Sequence, residues 1–294
     1  MNKKKDPISK YPSPPFKKQA QEVPGIEKKM DPQADHGEES YSGNNMLLDK
    51  AVVITGGDSG IGKAVAIAMA REGADILISY LDKVEDEDAE DTKKWVEKAG
   101  RKCTVMRGDI RDENHCKKII DQCVKDFGQV DVLINNAAYQ MTYDTVQEIT
   151  AEEWNKTFEV NMSAMFYLVK HAKDHMPAGS SIINTTSVNA YDPNPSLLPY
   201  AATKGAIQNF TASLAQTFLE DGSGIRVNAV APGPVWTPLI PSTIPEHHKF
   251  GENTPIGRPG QPAEIAPIYV FLASNAASYI SGATIPATGG RVTI

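Results

Sequence analysis

Short apolar runs rich in β-branched residues recur from Leu47 onward, each followed by apolar residues at helical spacing. The run Ala51-Val52-Val53-Ile54 ends at Thr55-Gly56-Gly57, and Gly60-Ile61-Gly62 then opens a helical pattern through Ala64, Val65, Ile67, Ala68 and Met69. A second run, Ile76-Leu77-Ile78, follows Gly73 directly. The unit repeats as a helix over about 85–98, a strand over 103–106, a helix through Ile119, Ile120 and Val124, and a strand over 130–134. Next come a long helix over about 152–175, a strand over 181–185, a helix over 199–219 and a strand over 225–230. A helix over about 263–272 and a short strand over 283–285 complete the pattern. Strands alternating with helices imply parallel pairing through right-handed crossovers. No linker composition interrupts the run, so the pattern predicts one α/β domain over 46–294, a doubly wound parallel sheet.

Residues 1–45 do not fit this pattern. Lysines such as Lys3, Lys4, Lys5, Lys17, Lys18, Lys28 and Lys29 mix there with prolines, glutamines and acids, with few aliphatic residues. Such a segment cannot bury enough apolar surface to order itself. It is expected to be an arm, disordered or packed on a neighbouring subunit.

Charge and composition exclude several roles. The formal charge of -7, with no basic stripe to offset it, argues against nucleic acid as a partner. No apolar run reaches the ~18–20 residues needed to span a bilayer, and the N-terminus lacks a signal-peptide apolar core, so a cytoplasmic protein without a membrane partner is expected. Cys103, Cys116 and Cys123 form neither a disulfide framework nor a zinc pattern. Adjacent His247 and His248 point different ways on most backbones and lie among prolines, so no metal is expected.

Two features carry candidate chemistry. Tyr200 and Lys204 lie four apart, one turn apart on the same face of a helix. A cation beside a phenol favours the phenolate and draws a pKa of ~10 toward the working range of a general base. The same spacing also serves packing plus a solvated lysine. The turn Thr55-Gly56-Gly57-Asp58-Ser59-Gly60-Ile61-Gly62 joins a buried strand to a helix, and offers a pyrophosphate a close backbone approach and helix N-terminal amides. Its spacing is G-x3-G-x-G.

The chain resembles the single-domain branch of the short-chain dehydrogenase/reductase superfamily over roughly residues 47–290, and within it a bacterial subgroup with an N-terminal arm. The likeness rests on the glycine turn, Asp109 after the third strand, Asn135-Asn136-Ala137 after the fourth, Asn161 in the long helix, Ser187 after the fifth, Tyr200-x3-Lys204, and Pro232-Gly233 followed by Thr237. The resemblance implies a Rossmann-type domain whose NAD(P) interconverts an alcohol and a carbonyl by hydride transfer. Tyr200 would be the general acid/base, with Lys204 lowering its pKa and binding the nicotinamide ribose. Ser187 would donate to the substrate oxygen, and Asn161 would hold a water linking Lys204 to solvent. Dinucleotide contacts would come from Gly56, Asp58, Ser59, Gly60, Ile61, Gly62, Tyr80, Leu81, Asp109, Ile110, Asn136, Ala137, Tyr200, Lys204, Pro232, Gly233, Val235 and Thr237. Asn135 would serve mainly to stabilise the central strands.

Two positions depart from the family pattern. Ala138 replaces the glycine that usually closes the Asn-Asn-Ala-Gly motif, which requires a backbone angle alanine permits. Tyr80, not an acid, ends the second strand, and no cation is placed to pair a 2′-phosphate. With Asp82 and the acids over 85–91 nearby, NAD is favoured over NADP. Those acids also suit a solvent-facing helix N-terminus.

The segment 234–257 is of the kind that closes over the pocket in this family. Trp236, Leu239, Ile240, Ile244 and Phe250 on it are expected to face Tyr139, Gln140, Met141, Asn189 and Tyr191 across a pocket for a small alcohol or carbonyl. A non-catalytic dinucleotide sensor or scaffold is the alternative, though such proteins typically lose the tyrosine or lysine present here. An epimerase or dehydratase of the longer branch would need a C-terminal substrate domain. The resemblance further implies a homotetramer, with one interface on the helices bearing Asn161 and Tyr200 and the other on the last helix and strand.

Overall fold

The computed structural model describes residues 6–291. Seven parallel strands form one sheet: β1 Ala51–Thr55, β2 Asp75–Tyr80, β3 Cys103–Arg107, β4 Val132–Asn135, β5 Ser181–Thr185, β6 Arg226–Pro232 and β7 Thr284–Ala287. Their spatial order is β3-β2-β1-β4-β5-β6-β7. Strands β1, β4, β5 and β6 are buried along their whole length, which is why they read as continuous apolar runs. Helices α1 (Gly60–Arg71), α2 (Asp86–Lys98) and α8 (Pro262–Ala273) cover one face of the sheet. Helices α3 (Glu113–Phe127), α5 (Ala164–Ala172) and α6 (Leu198–Glu220) cover the other. The doubly wound single domain read from the pattern is therefore the fold. Among the described residues, no helix is long and apolar enough to cross a membrane.

The helix expected over 152–175 is not continuous. It runs as α4 (Ala151–Phe158), a π-helical turn at Glu159–Ser163, α5, and a short 3-10 turn at Lys173–His175. A π turn keeps the chain helical and lengthens a single turn by one residue, so the apolar spacing slips by one position there without a helix-breaking residue to mark it. Asn161 sits in this turn. A five-residue helix, α7 (Leu239–Thr243), forms inside the segment 234–257.

The arm departs most from expectation. Its first five residues lie outside the described residues, and the rest lies against its own subunit, where the expectation had disorder or a neighbouring subunit. The carboxylate of Glu72, at the end of α1, accepts from the Tyr41 hydroxyl at 2.6 Å, the Asn44 N–H at 2.8 Å and the Met46 N–H at 3.0 Å. The Arg71 guanidinium donates to the Gly37 and Tyr41 carbonyls, and Arg258 donates to the Pro7 carbonyl. Met30 joins Trp236 and Ile240 in a small core of its own, with Phe16 against it. Counting aliphatic residues misses this because backbone groups and buried charges of the domain hold the arm.

One buried polar chain ties the sheet to α6. Asn135 Nδ2 donates to Asn184 Oδ1 at 2.9 Å, Asn184 Nδ2 to Thr211 Oγ1 at 3.0 Å, and Thr211 Oγ1 to the Ile207 carbonyl at 2.8 Å. These contacts assign Asn135 a structural place between β4 and β5. Asn184→Ala strands a donor on Asn135 and an acceptor on Thr211. It is expected to lower stability by roughly 1–3 kcal/mol with an unchanged m-value, read by denaturant unfolding.

Candidate active site

The strand order reverses between β1 and β4, which opens a crevice at the C-terminal ends of the strands. A cavity of about 840 Å³ lies there, bounded by the loops that follow β1, β2, β4, β5 and β6. Its size suits a ligand larger than a simple alcohol.

The glycine turn forms the floor of one end. Gly56 has φ +61, and a Cβ on Gly62 would lie 1.8 Å from the Gly56 carbonyl oxygen. Any other residue at 62 would push α1 off the turn. Asn136 clamps the arrangement, its Nδ2 donating to the carbonyls of Thr55 and Gly56 at 3.1 Å each. The backbone N–H groups of Asn136 and Ala137 donate to Thr55 Oγ1. The Asn136 amide thus shapes the cradle from within. Ala138 is not among the residues with positive φ, so its methyl costs no backbone strain. The turn's close backbone and the N-terminal amides of α1 fit the phosphates of a dinucleotide.

Asp58, Ser59, Gly60, Ile61, Tyr80, Leu81, Asp109 and Ile110 all line this end of the cavity. Asp58 is buried, with one carboxylate oxygen lacking a hydrogen-bond partner. Burial, reinforced by the nearby Glu85 carboxylate, raises its pKa to about 8. The Tyr80 hydroxyl donates to Asp86 at 2.7 Å, and Asp109 accepts from Arg111 Nε at 2.8 Å. Burial pushes the Asp109 carboxyl up, but Arg111 outweighs it and holds the net value below the usual range.

Pro232, Gly233, Val235 and Thr237 line the cavity at the far end of β6, and Ser187, Tyr200 and Lys204 line its inner wall. Tyr200 stands in the first turn of α6 and keeps part of its surface open to the cavity. Lys204, one turn on, is buried with its ammonium 5.1 Å from the Tyr200 ring centre, and Nζ donates to the Thr185 carbonyl at 2.8 Å. The Thr186 hydroxyl donates to the Lys204 carbonyl at 2.7 Å, which fixes α6 against the end of β5. Burial drives the two groups apart in character. It pushes Tyr200 up to about 12, opposed by the Ser187 hydroxyl, and pulls Lys204 down to about 7. Ser187 starts the turn at Val188–Ala190 and accepts from the Asn189 N–H at 3.1 Å.

Asn161 lies beneath this group and does not touch the cavity. Its amide donates to the Tyr139 carbonyl at 2.9 Å and to Thr203 Oγ1 at 3.1 Å, and accepts from the Tyr139 N–H at 2.7 Å. Its direct contacts therefore seat residue 139 and α6, and none reaches Lys204.

On the substrate side, Tyr139, Gln140, Asn189, Leu239, Ile240, Ile244 and Phe250 line the cavity as expected. Trp236, Met141 and Tyr191 do not. Trp236 faces the arm: its indole N–H donates to the Pro32 carbonyl at 2.8 Å, and its ring lies 4.5 Å from that of Phe16. His247 is likewise committed to the arm, its Nε2 accepting from the Gln19 N–H at 2.7 Å. Val23, Pro24 and Gly25 of the arm line the cavity too. Sequence reasoning missed them, because a segment read as unfolded supplies no wall.

The chain is similar to known proteins along most of its length. A family model described as "Enoyl-(Acyl carrier protein) reductase" matches residues 56–291. General stress protein 39 of Bacillus subtilis is 51% identical over 270 residues, covering 91% of this chain and 93% of that protein. "Glucose and ribitol dehydrogenase" of Daucus carota is 45% identical over 285 residues, covering 95% and 97%. A short-chain dehydrogenase from Burkholderia cenocepacia in complex with NADP superposes with a TM-score of 0.77 at 27% identity, covering 83% of this chain and 98% of that one. That neighbour carries NADP, so the expected preference for NAD gains no support. The chain belongs to the short-chain dehydrogenase/reductase family of oxidoreductases.

Proposed function

We propose that this protein interconverts an alcohol and a carbonyl using a nicotinamide dinucleotide, with Tyr200 moving the proton. The observation that carries the reading is Tyr200 itself: a phenol open to the cavity beside Ser187, with the Lys204 ammonium buried behind it. The bound nicotinamide supplies or takes the hydride. The Tyr200 hydroxyl gives its proton to a carbonyl oxygen, or as phenolate accepts one from an alcohol. Ser187 donates to the oxygen where charge develops, in a site whose burial strengthens the contact. Lys204 favours the phenolate, and its depressed pKa lets it exchange a proton near neutrality. Asn161 acts indirectly by fixing residue 139 and the start of α6. The name of the carrot relative, a glucose and ribitol dehydrogenase, supports a substrate of the alcohol or carbonyl class. The intact Tyr200, Lys204 and Ser187 set weigh against a sensor or scaffold without chemistry.

For assembly we propose a homotetramer. Trp154 on α4, Phe166 on α5 and Leu198 on α6 are exposed apolar side chains on the helices expected to form one interface, and Tyr279 is fully exposed ahead of β7, the strand expected at the other. Light scattering is expected to give a mass of four chains, and a monomer would overturn this.

Tyr200→Phe deletes the hydroxyl and keeps the ring. It is expected to lower kcat by about 100-fold or more, with dinucleotide affinity within about threefold of the parent. A variant turning over at the parental rate would sink the mechanism. Because burial sets Tyr200 above its ordinary value, the alcohol-oxidising rate is expected to rise with pH as phenolate forms, and the rise should vanish in the variant.

Asp58 makes a second pH-dependent outcome. Its carboxyl is neutral below about 8 and ionised above. Affinity for NADP(H) relative to NAD(H) is expected to fall between pH 7 and 9 as the new charge repels the 2′-phosphate. Titrations of both dinucleotides should show a ratio independent of pH in Asp58→Asn.

A further inference from the structure

The arm passes between the two segments that flank the mouth of the cavity, and it is fastened to both. On one side it holds the loop carrying α7. The Phe16 N–H donates to the His248 carbonyl at 2.8 Å, and the Gln21 N–H donates to the Pro241 carbonyl at 3.0 Å. Phe16 lies on Trp236, whose indole in turn holds the Pro32 carbonyl. On the other side it holds the glycine turn. The Glu27 carboxylate accepts from the Gly60 N–H at 2.8 Å, while the Glu27 N–H donates to Asp88 at 2.8 Å. A lone carboxylate at a helix N-terminus would compete with a dinucleotide phosphate for the same field. Here His36 Nε2 lies 3.1 Å from Glu27 with both side chains buried, so the imidazole, which Glu38 also faces at 3.0 Å, offsets part of the charge of this acceptor.

Gly25 sits midway and fits by having no side chain. A Cβ there would lie 2.2 Å from the Pro238 carbonyl oxygen, a backbone atom that can yield only by moving the loop. Val23, Pro24 and Gly25 themselves form part of the cavity wall. The family model matches residues 56–291, so the arm lies outside the residues it matches.

We propose that arm residues 16–36 are a strap that holds the loop 234–257 in its closed place against the glycine turn, with Gly25 and Phe16 as positioning residues for the loop. This rests on reading the cavity as the dinucleotide and substrate site. In free enzymes with a mobile lid, closure must be bought from binding energy; a lid already strapped is preorganised for its ligand.

The test is hydrogen–deuterium exchange of the full chain with and without NADPH, beside fluorescence titration of NADPH. The parent is expected to protect amides of 234–257 in the free protein. Gly25→Ala, which forces the loop off the strap, and Phe16→Ala, which lies outside the cavity, are each expected to speed exchange in 234–257 by about tenfold. Exchange in the central strands should stay unchanged, and NADPH binding should weaken by about threefold or more in Gly25→Ala. Unchanged loop exchange in both variants would overturn the strap, as would exchange rising equally in β1, β4 and β5. The readout needs no turnover, so a protected loop in a protein without activity would sink the dehydrogenase reading alone. An active enzyme with an indifferent loop would sink the strap alone.

Discussion

The contact between Gly62 and the Gly56 carbonyl is the tightest constraint around which the site is built. It brings the first turn of α1 against the end of β1 with no side chain between them. The Asn136 amide and the Thr55 hydroxyl then lock this turn to the end of β4. Because β1 and β4 are the strands between which the sheet reverses, the same few atoms define the crevice and line its floor. Everything else in the site is arranged relative to that floor.

Burial is the second organising influence, and it acts through charge. Tyr200 and Lys204 share one face of α6, yet low solvent access moves their pKa values in opposite directions. The ammonium is secured by the Thr185 carbonyl, so it stays beside the phenol although burial disfavours its charge. Asp58 obeys the same rule at the other end of the cavity, where burial and Glu85 together keep its carboxyl neutral to unusually high pH. One cavity thus holds two groups, Lys204 and Asp58, whose protonation changes close to neutrality, a common property of sites that move protons.

The arm shows how a polar segment can become part of a folded domain. Few of its residues are aliphatic, and it forms no strand or α-helix among the described residues. It is held by backbone groups that meet Arg71, Glu72 and Arg258, by a small cluster around Trp236, and by the buried Glu27–His36 pair. Two of these partners are far from the arm in sequence: Arg258 meets Pro7 from 251 positions away, and Trp236 meets Pro32 from 204. The position of the loop 234–257 and the shape of the cavity mouth follow from contacts that join residues more than two hundred apart.

Local pattern alone determined the alternating strands and helices, because burial on both faces leaves continuous apolar runs that any reader of the chain can see. It also determined the glycine turn and the Tyr200–Lys204 spacing, since each depends on residues a few positions apart. The π turn at Asn161 stayed hidden because the chain remains helical through it and no Gly or Pro marks the one-residue slip. Trp236 faces the arm and not the pocket because Phe16 and Pro32, both about two hundred residues away, pack and hydrogen-bond against it. Only the tertiary structure decided that the arm is a wall of the cavity, that Asn161 seats its neighbours, and that Asp58 is buried beside Glu85. These are outcomes of distant segments meeting, and the energy of such contacts is written in no single stretch of sequence.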